Sequence, residues 1–168
     1  SRLGIILDVT HLSEPSFWEV MNSYEGPVWA SHHNCRSLVE DPRQLSDEQI
    51  KALIDRGSVI GSAFDAWMLS PNWIRGKSTP LGHEVYIKNV VDHIDHICQI
   101  AGNSNHCGIG SDLDGGFGTE QSPCDLDTIA DIQSLNEILG NRGYSNNDVD
   151  AIMNGNFISF CAKYLPAG

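Results

Sequence analysis

The chain has 168 residues, 40% of them apolar, and a formal net charge of −12 at pH 7. That apolar content supports one domain with a real core. The acidic balance argues against nucleic acid or an anionic membrane surface as partner and favours cations, and no apolar run nears the roughly 20 residues of a membrane helix.

The elements alternate along the chain. Residues 4–9 read as a buried strand and 15–22 as a helix, and 28–31 form the next strand. A loop from His32 to Leu45 leads to Ser46-Asp47-Glu48-Gln49, a helix start with Ser46 as N-cap, and Gly57 ends that helix. Residues 58–64 form a third strand. A polar segment with Pro71 and Pro80 follows, then a long helix at 83–101 whose apolar positions recur at helical spacing. The fourth strand is 106–111, and after a glycine-rich loop two helices at 126–140 and 146–164 close the chain. Strands separated by helices imply a parallel sheet. Four such units make half of an eight-stranded (β/α)8 barrel, and an open four-stranded sheet is the smaller alternative. A half barrel leaves two strand edges unpaired, so the expected partners include a missing N-terminal half of the barrel or a second copy in a homodimer.

The chain starts at Ser1 without Met and runs within three residues into a strand, which reads as an internal piece of a longer protein. Five cysteines at wide spacing, with no CxxC, give neither a disulfide framework nor a zinc knuckle. They fit a reducing compartment, the cytoplasm.

All four strands end in polar groups: Asp8 and His11, then His32, then Asp65, then Asp112 and Asp114. Parallel α/β folds place their chemistry at that C-terminal rim. His11 and His32 would converge there, as ligands of zinc or a similar divalent ion or as hydrogen-bonded structural residues. Asp8, inside its strand, is assigned a structural role. His33 should point away from His32 and reads as a loop or supporting residue. His93 and His96 at i and i+3 are assigned to helix packing and capping rather than to metal, and His83 and His106 look incidental. Arg43 is shaped to clamp a carboxylate, but spacing alone favours a surface pair with Glu40 or Asp41. Asp112-Leu113-Asp114-Gly115 lacks the distal glutamate of a calcium loop, since Pro123 holds that position. A catalytic carboxylate at a strand end fits better, with Gly115, Gly116 and Gly118 making the tight exit.

The strings Asp8-Val9-Thr10-His11-Leu12-Ser13, Ser31-His32-His33-Asn34-Cys35-Arg36, His93-Ile94-Asp95-His96-Ile97 and Gly108-Ile109-Gly110-Ser111-Asp112-Leu113-Asp114-Gly115, in this order and spacing, resemble the renal-type (membrane) dipeptidases, peptidase family M19. The resemblance runs to Asn154-Gly155-Asn156-Phe157, with Thr10 where serine is common. It implies the C-terminal half of an (α/β)8 barrel over residues 1–168 and zinc-dependent hydrolysis of dipeptides at a two-zinc site bridged by a glutamate. It implies that His11 and His32 are ligands of one zinc. Arg43, 11 residues after His32, matches the arginine that holds the substrate's terminal carboxylate, and Asp112 matches the acidic residue that contacts water and substrate. The His-x-Asp pair and the bridging glutamate would lie upstream of Ser1, so the chain alone is expected to be inactive. Two other readings stay open: a binding module that kept the barrel and lost turnover, and another amidohydrolase-like amide or lactone hydrolase.

Overall fold

The computed structural model describes residues 4–166. Four short parallel strands alternate with helices. Strand β1 is Leu7–Asp8, β2 Val28–Trp29, β3 Ile60–Ser62 and β4 Cys107–Ile109. The pairs β1–β2 and β3–β4 are both parallel, and a parallel bridge from Ala30 to Ile60 joins them. The spatial order is therefore the chain order, as in a barrel wall. Among the described residues β1 and β4 each keep one edge without a strand partner.

Helix α1 (Glu14–Ser23) starts from Ser13, whose Oγ accepts the Ser16 N–H. Helix α2 (Asp47–Asp55) has the predicted capping box of Ser46 and Gln49. It ends where Gly57 takes φ +67°, a conformation that costs glycine nothing. Four expectations are corrected. The strands are two or three residues long, not four to seven, because the chain leaves the ladder early to form the rim. A four-residue helix α3 (Ala66–Leu69), capped by Asp65, stands in the segment read as loop. The long helix α4 (Ile87–Ala101) begins four residues late, because Glu84 adopts φ +52° after a 3-10 turn at Leu81–His83. The closing helices are interrupted. A 3-10 stretch (Ile129–Ser134) precedes α5 (Leu135–Asn141), and a π segment (Ala151–Gly155) separates α6 (Asn146–Asp150) from α7 (Asn156–Tyr164).

Strand alternation sorts the two faces. Val28, Ala30, Ile60 and Cys107 join α2 and α4 in one fully buried core with Ile50, Leu53, Ile94 and Ile97. Burying each large aliphatic there contributes roughly 1.5–3 kcal/mol. Trp29, Gly61 and Gly108 face the other way. Phe157 of α7 lies against Gly108, where an added Cβ would meet its ring at 2.4 Å, and it packs edge-on to Trp29 with centroids 5.4 Å apart. No described helix is long and apolar enough to cross a membrane.

His93 and His96 make structural contacts. His93 is 1% exposed, and its Nδ1 accepts the Cys35 N–H at 3.0 Å. His96 Nε2 lies 2.8 Å from Asp47 and ties α4 to α2. Burial, with nearby His96, pushes His93 down to about 3. The unfolded chain binds a proton near pH 6.5 that the folded chain refuses, so this residue's stabilisation is complete above 6.5 and falls as pH drops from 6.5 toward 3. We expect His93→Gln to flatten the pH dependence of the unfolding free energy, measured by urea titration, by about 1.4 kcal/mol per pH unit in that window. Parallel pH profiles of parent and variant would refute the assignment.

Candidate active site

The ends of β1 and β2 are stitched together by short side chains. Asp8 Oδ1 accepts the N–H of Thr10 at 3.0 Å and of Ser31 at 3.1 Å. Burial raises its pKa, but the hydrogen bonds from Ser31 and Thr10 outweigh that and hold it below the usual carboxylate range. Thr10 Oγ1 in turn accepts the His32 N–H at 3.3 Å. These contacts give Asp8 the structural role that its place in the strand suggests.

His11 takes φ +67°, a left-handed conformation uncommon outside glycine, which turns its ring toward His32. Ser31 Oγ lies 2.8 Å from His32 Nδ1, so the Nε2 atom faces inward. The two Nε2 atoms are 3.0 Å apart and the ring centroids 5.0 Å. Two nitrogens on one tetrahedral zinc, each bonded at roughly 2.0–2.1 Å, lie about 3.3 Å from one another. Partial burial, then the charges of Arg43 and His32, lower the His11 pKa and favour the neutral, ligating imidazole. The pair therefore fits two ligands of one divalent ion. Among the described residues no group of three or more His, Cys, Asp or Glu closes around an ion.

Two glycines make this geometry possible. Ser31 carries its carbonyl into the gap between the ends of β3 and β4. A Cβ on Gly61 would lie 2.1 Å from that oxygen, and one on Gly110 would lie 1.9 Å from it. The obstruction is backbone, so no side-chain rotation relieves it. Sequence reading gave neither glycine a role.

Asp112 leaves β4 with φ +58°. Its Oδ1 lies 3.9 Å from His32 Nε2. The loop turns back at once: the Gly115 N–H donates to the Asp112 carbonyl at 2.8 Å, and a Cβ on Gly115 would meet the Asp112 carboxylate. Asp112, His11, Arg43 and Asp65 line one cavity of about 420 Å³, which Asp114 does not line. Burial raises the Asp65 carboxyl, although its oxygens accept from the Trp67 indole at 2.7 Å and the Gln121 amide at 3.0 Å.

Arg43 corrects the surface-pair expectation. No carboxylate lies within ion-pair distance of its guanidinium among the described residues, although its own N–H donates to Asp41 at 2.7 Å. The guanidinium reaches inward instead. Nη2 donates to the His32 carbonyl at 3.1 Å, and Nη1 lies 3.0 Å from His33 Nε2. His33 is 4% exposed, and burial followed by the Arg43 charge holds it well below the usual histidine value. A neutral His33 seats the arginine without repelling it. The second histidine of the doublet thus positions the Arg43 guanidinium.

The sequence matches the profile of the membrane dipeptidase family (peptidase family M19) over residues 1–163. It is 32% identical over 158 residues to the uncharacterized protein of the pqqA 5′ region of Klebsiella pneumoniae, covering 94% of this chain and 54% of that protein. The fold is similar to the crystal structure of dipeptidase AC, a metallopeptidase of family M19, with TM-score 0.83 and 23% identity over 99% of this chain and 46% of that one. It is also similar to a metallopeptidase from Rhodobacter sphaeroides liganded with a phosphinate mimic of the dipeptide L-Ala-D-Ala. There the TM-score is 0.80 at 23% identity, over 97% of this chain and 43% of that one. The chain thus spans about half the length of these three proteins.

Proposed function

The chain belongs to the membrane dipeptidase family, peptidase family M19, and from that premise we propose that its rim is half of a zinc-dependent dipeptidase site. One observation carries the reading: His32 Nε2 converges to 3.0 Å on the Nε2 of His11, which lines one cavity with Arg43 and Asp112. His11 and His32 would hold one of two ions, and residues outside this chain would supply the bridge and the remaining ligands. When bound, such ions lower the pKa of water toward neutrality and polarise a carbonyl.

The chain's own residues do the rest. Arg43, seated on His33, holds the carboxylate at the C-terminal end of a short substrate by paired charge-assisted hydrogen bonds. Capture of that terminal carboxylate inside the same cavity as His11 and Asp112 favours short substrates. Asp112, an acceptor beside His32, orients the attacking water, takes its proton and passes it to the leaving amine. The turn at Gly115 ties the Asp112 backbone and, lacking a Cβ, leaves that carboxylate its space.

The test is hydrolysis of a simple dipeptide such as Ala-Ala by the full-length protein and by residues 1–168 alone. We expect turnover by the full-length protein, loss on chelation and recovery with zinc. The isolated chain should give none, because two imidazoles and one carboxylate do not complete a two-metal site. Zinc-stimulated turnover by residues 1–168 alone would show that the essential ligands are misplaced, and a full-length protein indifferent to chelation would sink the metal reading.

A further inference from the structure

A second cation faces the cavity. Arg75, from the connection between α3 and α4, lines it together with His11, Arg43 and Asp112. Its guanidinium carbon sits 4.5 Å from the centroid of the Trp67 ring. That ring is anchored. The Trp67 indole N–H donates to Asp65 Oδ2 at 2.7 Å and its backbone N–H to Asp65 Oδ1 at 3.4 Å, while Gln121 donates to the same Oδ2. The platform under Arg75 is therefore fixed from the end of β3. Asp65 is occupied by these donors and does not compete for the guanidinium.

Other arginines of the chain have partners. Arg36 pairs with Glu14, Arg142 with Asp92, and Arg56 donates to the carbonyls of Met21, Tyr24 and Gly26. Arg75 is exposed and has no carboxylate within ion-pair distance among the described residues. Acidic residues are not scarce, with 22 Asp and Glu against 10 Lys and Arg. Stacking on an indole engages the face of the guanidinium and leaves its in-plane N–H edge free. That edge is the part that reads a carboxylate.

We propose that Arg75, held over Trp67, is a second carboxylate-binding group of this cavity, so that the preferred substrates are dipeptides bearing an acidic side chain as well as the terminal carboxylate. The proposal rests on the dipeptidase reading and adds a substrate class to it. Arg43 takes the terminal carboxylate and Arg75 the side-chain one. Because Arg75 is exposed, its contribution is screened by salt.

The experiment compares kcat/KM of the metal-loaded full-length protein on Ala-Asp, Ala-Glu, Asp-Ala and Glu-Ala with the neutral isosteres Ala-Asn, Ala-Gln, Asn-Ala and Gln-Ala. C-terminal residues are tested in both L and D forms. Acidic substrates should be preferred, less so at raised ionic strength. Arg75→Gln should lower the acidic-to-neutral ratio roughly tenfold, the lower end for a contact to a charged group, chiefly through KM, and Arg75→Lys should restore part of it. A ratio unchanged by Arg75→Gln, or a parent protein that turns over neutral dipeptides as well as acidic ones, overturns this proposal and leaves the dipeptidase reading standing. Absence of turnover on every dipeptide overturns both.

Discussion

His32→Ala in the full-length protein is expected to abolish dipeptide hydrolysis and to lower the metal bound per chain. The His32 Nε2 atom is the point where three groups meet, 3.0 Å from His11 Nε2 and 3.9 Å from the Asp112 carboxylate. Alanine removes a donor that nothing nearby replaces, since no other described His, Cys, Asp or Glu completes a cluster there. Losing a group that merely supports a metal ligand costs roughly 10–100-fold, so losing the ligand itself should exceed that range. The fold should survive, because the imidazole is partly exposed and the backbone contacts of residue 32 to Thr10 and Arg43 do not need it. His96→Ala is the matched control. It breaks the half-exposed contact to Asp47 on the far side of the sheet, worth about 0–1 kcal/mol, and should keep activity and metal content. Full metal content and full activity in His32→Ala would remove the basis for the site.

Parts of this site could be read directly from the chain and parts could not, for a physical reason. The strand-helix alternation is local: periodicity at 2 and 3.6, capping serines and a stop glycine act within a few residues. It therefore gave the parallel order and the α2 boundaries. His11 and His32 were also legible, because each follows an apolar run and the topology brings such ends together. The late start of α4 was not, since the apolar period continues through Val85 while the backbone at Glu84 turns left-handed. Nor were the breaks at Ile129–Ser134 and Ala151–Gly155, where tightening or widening of a turn leaves the apolar pattern intact. Arg43 and His33 depend on where a loop folds back, so the seat of the guanidinium appears only in three dimensions. The same holds for Arg75, which gains its meaning from Trp67 beneath it.

The second large effect concerns a residue with no side chain. Gly110→Ala is expected to unfold or strongly destabilise the protein, and any folded fraction should be inactive. An alanine Cβ there would lie 1.9 Å from the Ser31 oxygen, 2.9 Å from the Ser31 carbonyl carbon and 3.0 Å from the Gly61 Cα. All three are backbone atoms of adjoining strand ends, so relief requires moving the end of β2. That end carries His32, and its hydrogen bonds to Asp8 and Thr10 are the stitches of the rim. Overpacking a rigid interior costs typically 1–3 kcal/mol and occasionally more, and a contact this short against backbone belongs at the upper end. Gly140→Ala separates this from a general effect of adding a methyl group. Gly140 lies in α5 with nothing within 4 Å of its Cβ position and no left-handed φ. Alanine there should raise stability by about 0.5–1 kcal/mol through helix propensity. The measurement is the urea midpoint of each variant, with turnover recorded well below the melting temperature. A stable, active Gly110→Ala protein would mean that Ser31 does not sit between the two glycines.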